Sequence, residues 1–310
     1  MKRHWCSQWR LFVGGVACAA GLSFFALATT ARTAEASPGS SVVVARLGDE
    51  TFKLFRYRPR ECSELSLLLV FHGHGRDASS YRDRSREIAE KACFVVYAPL
   101  FDQVRFPNWR YQRGGIVHRG EVLSENVWTV NLVSDLTRWI RREERRPDMP
   151  AVLFGHSAGA QFLSRVAAYA MPDNVVGIVL ANASTYVFPL CQVEAPYGFG
   201  GLFEGDELTA RLRSYLEAPI TIFLGTEDTD EEDPLLVQSQ EAMSQGSNRR
   251  QRGEHAFEAA TLLSKDLGWK MNWKLVYAKG VGHDSVGMLD APEALDVFGV
   301  EKSLPQPAGN

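Results

Sequence analysis

The sequence predicts an α/β domain: a largely parallel sheet of about eight strands with helices on both faces. Three observations lead there. After an opening hairpin pattern, short apolar runs alternate with segments of helical spacing, as strand–helix–strand units do. Several runs, among them Leu67–Phe71, Phe94–Pro99 and Ala151–Phe154, are continuously apolar, as strands covered on both faces must be. The chain has 310 residues, 45% hydrophobic and 23% charged, which suits one globular domain of this kind.

The N-terminus differs from the rest. Lys2, Arg3 and Arg10 lead into an apolar run from Leu11 to Ala28, and Ala34-Glu35-Ala36 supplies small residues at an A-x-A spacing. Residues 1–36 therefore read as a secretory signal peptide, with 37–310 as a single domain. An uncleaved anchor is the alternative, since the run approaches the length of a membrane span. No later segment is long and apolar enough to cross a membrane, so no stable membrane association is expected after cleavage. The expected destination is secreted or periplasmic, where disulfides persist. Of the five cysteines, Cys62, Cys93 and Cys191 would remain. Cys62 precedes one predicted strand and Cys93 opens the next, which makes them the preferred pair; two buried thiols are the alternative.

The elements follow in order. Ser41–Leu47 and Thr51–Tyr57 form a hairpin around Gly48-Asp49. Leu67–Phe71 is a buried strand, Asp77–Lys91 a helix and Phe94–Pro99 a strand. Asp102 to Glu125 is loop-like, with Pro107, Gly114, Gly115 and Gly120. Trp128, Leu132, Leu136, Trp139 and Ile140 recur at helical spacing within Asn126–Arg146. Strand Ala151–Phe154 leads to helix Ala158–Ala170, then strand Val175–Ala181. A second irregular stretch runs from Ser184 to Gly205. Helix Asp206–Glu217, strand Pro219–Leu224, helical pieces in Leu235–Leu267, strand Trp273–Ala278 and helix Ala291–Phe298 complete the chain.

The chemistry concentrates at three strand ends. Gly155-His156-Ser157-Ala158-Gly159 satisfies G-x-S-x-G, follows an apolar strand and opens a helix, which is the context of a nucleophile elbow. Ser157 needs a base. His283, in Gly280-Val281-Gly282-His283-Asp284 directly after the last strand, is the candidate; His156 lies in the elbow itself and is expected to point away. The base needs a carboxylate to hold its tautomer. Asp228, after the penultimate strand, is the choice, with Glu227 and Asp230 as rivals in the same acidic loop. A tetrahedral intermediate needs N–H donors. The backbone N–H of Ala158 and that of His74, in Phe71-His72-Gly73-His74-Gly75, are the candidates.

These motifs resemble those of the α/β-hydrolase superfamily over almost all of the expected mature chain. Within it, His72-Gly73, Gly155–Gly159, Gly225–Asp228 and Gly282-His283 look like the secreted esterase branch of poly(3-hydroxybutyrate) depolymerase-like and feruloyl-esterase-like proteins. His74 is a departure, because a Cys directly after that glycine is common in the depolymerase branch. The resemblance implies the α/β-hydrolase fold and ester hydrolysis through an acyl-enzyme, without a cofactor.

Trp109 and Tyr111 in the first irregular stretch, and Tyr186 in the second, are candidate lining for an apolar or aromatic acyl group, with ordinary packing of the loops onto the domain as the alternative. Arg249, Arg250 and Arg252 read as a solvated helix end, with contact to an acidic substrate group as the alternative. A net charge of −3 offers no case for nucleic acid. No CxxC or His/Cys cluster suggests a metal. The expected partner is a small-molecule or polymeric ester. A peptidase, thioesterase or acyltransferase on the same residues, or a binding protein on this scaffold, are the rival readings.

Overall fold

The computed structural model describes residues 38–62 and 64–299. The expected signal peptide and the tail from Ser303 lie outside the described residues. Eight strands form one sheet: β1 Gly39–Leu47, β2 Glu50–Arg58, β3 Ser66–Phe71, β4 Phe94–Pro99, β5 Ala151–His156, β6 Val175–Ala181, β7 Ile220–Gly225 and β8 Lys274–Ala278. Their order is β1-β2-β4-β3-β5-β6-β7-β8. Only β1–β2 and β2–β4 pair antiparallel. The other neighbours are parallel. The hairpin turns at Gly48, whose φ of 59° suits a residue without Cβ. All five parallel pairings point their carboxyl ends to one edge, and the order reverses at β3, where open α/β sheets place their sites.

Side-chain alternation along each strand supplies two cores. On one face Leu67, Leu69, Phe71, Leu153, Leu180 and Leu224 pack with Leu136, Phe162, Val166, Leu216 and Ala260. These come from α3 Leu132–Glu143, α4 Ala158–Tyr169, α5 Gly205–Glu217 and α7 Arg249–Leu267. On the other, Leu68, Val70, Val96, Phe154 and Phe223 pack with Tyr81, Ile88, Met288 and Ala294. Those belong to α1 Ala78–Arg84, α2 Arg86–Ala92, α8 Ser285–Asp290 and α9 Pro292–Val297. Covering both faces is what makes β4, β5 and β7 buried along their whole length.

Several boundaries differ from the periodicity. The helix expected over 77–91 is two helices, broken at Ser85, whose hydroxyl donates to the Tyr81 carbonyl at 2.9 Å and so competes with helical pairing. The helix expected from Asn126 begins as two 3-10 turns, Glu125–Val127 and Thr129–Asn131, and becomes α-helical only at Leu132. The loop before it holds a short antiparallel pair, Val117–His118 with Glu121–Val122. Helix α8 was not marked by periodicity; its start is set by Asp284, which accepts from the N–H groups of Val286 and Gly287. The short helix α6, Gln240–Met243, precedes α7.

Cys62 and Cys93 form a disulfide with Cα atoms 5.5 Å apart. The pairing follows from topology: β3 and β4 are parallel neighbours, so the segments entering them meet at one edge. Cys191 is free and exposed. Among the described residues, no helix is long and apolar enough to cross a membrane.

Candidate active site

Ser157 sits in the turn between β5 and α4 with φ 56° and ψ −115°. A non-glycine residue there is strained, and the surroundings enforce it. Its N–H donates to the Ala181 carbonyl of β6 at 2.9 Å. A Cβ on Gly155 would lie 2.4 Å from the Gly159 carbonyl carbon, and one on Gly159 would lie 2.2 Å from the Phe71 carbonyl oxygen. Both positions therefore require glycine, because strand, turn and helix pass within backbone contact. Ala158 is the first residue of α4, where backbone N–H groups lack intrahelical partners.

Three chain segments converge on this serine. The Ser157 hydroxyl donates to His283 Nε2 at 3.0 Å, and His283 Nδ1–H donates to Asp228 Oδ2 at 2.8 Å. A carboxylate can only accept, so it selects the tautomer that leaves Nε2 free as an acceptor. Asp228 is buried, whereas its rivals Glu227 and Asp230 are exposed and turned to local partners. Asn182 ties the strand ends together: its Oδ1 accepts from Gly225 N–H at 2.8 Å and its Nδ2 donates to the Gly282 carbonyl at 3.0 Å. It thus fixes the acid loop against the histidine loop. Asn182 also begins an Asn-Ala-Ser sequon, yet it is fully buried and offers no acceptor nitrogen to a glycan.

The loop after β3 lies against Ser157, with a Cβ on Gly73 reaching 3.8 Å from Ser157 Cβ and 2.7 Å from Tyr81 Oη. His72 beneath it is buried. Its Nδ1–H donates to the Gly73 carbonyl at 3.0 Å and its Nε2 accepts from Phe101 N–H at 3.1 Å. Burial pushes its pKa down to about 4, so the ring is neutral and its tautomer is held. His74 follows on the exposed side, with Gln112 Nε2 donating to its Nδ1 at 3.3 Å.

His156 is buried beside His283, with ring centroids 4.8 Å apart, and its Nδ1 is 3.1 Å from Tyr81 Oη. It makes no bond to Ser157, in line with the expectation that it turns away. Burial first, then the charges of His283, Arg249 and Arg84, push its pKa well below the usual imidazole value.

The aromatic lining expected from the loops needs correction. Tyr111 is fully buried between Phe101 and Phe162, and its hydroxyl donates to the His72 carbonyl at 2.8 Å. Tyr186 is also buried and presents no surface to a ligand. Rings this large are worth more packed against the core than left in a solvated cleft, so the irregular stretches fold inward. Trp109 is half-buried against His118, centroids 4.1 Å apart.

Arg249 is not the solvated helix end that its sequence context suggests. It is fully buried and bonds Ser184, Asp228 and Asp233. Arg252 is buried as well, donating to the carbonyls of Gly246, Ser184 and Val237. The available signal was their place: cations opening a helix oppose its dipole, so they need another reason to be there. Among the described residues, no group of three or more His, Cys, Asp or Glu could hold a metal ion.

The fold and the strand-end site define a class: the chain belongs to the α/β-hydrolase superfamily and is an enzyme of its esterase type. It is 30% identical to poly(aspartic acid) hydrolase-1 from Sphingomonas sp. KT-1, covering 82% of this chain and 96% of that one, with a TM-score of 0.75. It is 27% identical to LpqC, a poly(3-hydroxybutyrate) depolymerase from Bordetella parapertussis, covering 88% and 92%, with a TM-score of 0.76. No family model and no curated protein sequence matches it.

Proposed function

We propose that this protein is an exported hydrolase that cleaves carboxylic esters through an acyl-enzyme on Ser157. The observation that carries the reading is the unbroken hydrogen-bond chain from Ser157 through His283 to Asp228. His283 Nε2 takes the hydroxyl proton as Ser157 Oγ bonds to the ester carbonyl carbon. The oxygen gains negative charge, for which the N–H groups of Ala158 and His74 are the assigned donors. His283 then gives its proton to the departing alcohol, and the C–O bond breaks. Water, deprotonated by the same nitrogen, then attacks the acyl carbon; the C–Oγ bond breaks, His283 returns the proton to Ser157 Oγ, and the acid leaves. Asp228 holds the Nδ1–H tautomer and stabilises the imidazolium.

Export rests on the basic, apolar and small-residue pattern of residues 1–36. The substrate class, a small or polymeric ester, is supported by the likeness to a protein described as a poly(3-hydroxybutyrate) depolymerase. A second reading, amide cleavage, is favoured by the likeness to a poly(aspartic acid) hydrolase, and the same residues serve it.

Purified protein lacking residues 1–36 should hydrolyse a short-chain p-nitrophenyl ester, while Ser157→Ala and His283→Ala should lose at least about three orders of magnitude in kcat. Activity retained in either variant defeats the assignment. Parallel assays on poly(3-hydroxybutyrate) and poly(aspartic acid) separate the readings: turnover of the second alone favours amide cleavage.

A further inference from the structure

We infer that Arg249, anchored by Asp233, is a positioning residue that orients Asp228 and balances the charge around His283. The inference rests on the hydrolytic reading above.

Arg249 is the first residue of α7 and has no solvent exposure. Its Nε donates to Ser184 Oγ at 3.0 Å, and its Nη1 donates to Asp233 Oδ2 at 2.8 Å and to Asp228 Oδ1 at 3.4 Å. Asp228 therefore has one oxygen on His283 and the other facing Arg249. The helix holds the same loop through its backbone, because Arg250 N–H donates to the Asp228 carbonyl at 3.3 Å. A guanidinium at a helix N-terminus opposes the dipole, and a buried one loses its hydration; neither cost is met unless carboxylates compensate it. Two do.

The charges give the device its logic. Asp228, Asp233 and Arg249 carry minus one together while His283 is neutral. When His283 accepts the serine proton, the group becomes neutral. Without Arg249 it would hold two negative charges at rest, which would keep His283 protonated and unable to act as a base. Without Asp233 it would be neutral at rest and would resist the imidazolium. Asp233 senses the group: burial pushes its carboxyl up, but the Arg249 hydrogen bond, the Leu235 N–H and the charges of Arg249 and His283 overcome this and hold it low.

Other groups facing His283 complete the picture. From the elbow come Ser157 and His156, the latter kept neutral by burial. From α1 comes Arg84, whose Nη1 donates to Ser285 Oγ at 2.7 Å, and Tyr81, bonded to His156. Asp284, the adjacent residue, is committed to capping α8.

The test titrates the His283 imidazole by NMR in the parent, Arg249→Gln, Arg249→Lys and Asp233→Asn, alongside kcat/KM against pH with a p-nitrophenyl ester. Removing one unit charge at about 8–10 Å, at an effective dielectric of about 20–40, moves an imidazole by about 0.6–1.5 pH units. Arg249→Gln should raise the His283 titration and the acid limb of kcat/KM by about that amount. Asp233→Asn should lower both, and Arg249→Lys should stay near the parent. A purely structural role would lower stability without this opposed pair of shifts. Shifts of the same sign, or none, overturn the inference. Asp233, nearer the surface, keeps the test decisive if Arg249→Gln does not fold: an unmoved or raised titration in Asp233→Asn alone overturns it. Hydrolysis by Ser157→Ala would defeat the catalytic reading separately, because the imidazole titration needs no turnover.

Discussion

Replacing Ser157 by glycine should stabilise the protein relative to replacing it by alanine. Both substitutions remove the hydroxyl and its bond to His283, so the difference between them isolates the backbone. At φ 56° and ψ −115° an alanine keeps the conflict between its Cβ and the chain, which costs about 1–3 kcal/mol. Glycine escapes it. Glycine also loosens the unfolded chain, which costs about 0.4–1 kcal/mol. The net advantage of glycine is therefore about 1 kcal/mol, opposite in sign to the usual alanine-to-glycine change. In a domain of this size that is about 2–4 °C in Tm. Urea unfolding of both variants, followed by circular dichroism and tryptophan fluorescence, measures it. If the glycine variant proves the less stable of the two, the elbow stores no strain at Ser157 and the geometric argument is refuted.

Two further outcomes follow from the fold. His72 titrates near 4 in the folded chain and near 6.5 when unfolded, so the unfolded state binds more protons between those values. Its contribution is complete above pH 6.5 and is lost as pH falls to 4, roughly 3 kcal/mol in all; His72→Gln should flatten the stability–pH profile in that window, and an unchanged profile would show that His72 does not govern it. The Cys62–Cys93 disulfide closes a loop with a sequence separation of 31, so replacing both by serine should cost about 3–4 kcal/mol in denaturant unfolding. Reduction of the parent should reproduce that loss, and a loss below about 1 kcal/mol would mean that the reduced chain is already constrained there.

Much of the site was legible because its motifs are local. Gly155 to Gly159 announces a tight turn through glycines that close backbone contact requires, and the structure shows that contact at both ends. His283 and Asp228 were found by position after strands, and the folded chain brings both within hydrogen-bonding reach in series with Ser157. Choosing among Glu227, Asp228 and Asp230 was harder, since one acidic loop offers all three and only burial separates them. The aromatic lining failed for a related reason. A tyrosine in an irregular stretch reads the same whether it faces a cleft or a core, and Tyr111 and Tyr186 face the core.

Residue order alone specified the alternation of strands and helices, the apolar runs of the central strands and the turn glycines. Each of these is a property of near neighbours: periodicity, steric freedom or capping chemistry. Only the tertiary structure decided that Arg249 is buried against Asp228 and Asp233, and that Asn182 clamps the acid loop to the histidine loop. Charged and amide side chains are ordinarily solvated, and nothing in their immediate sequence says otherwise. Their roles arise when strands distant in sequence end side by side and exclude water from the polar groups between them.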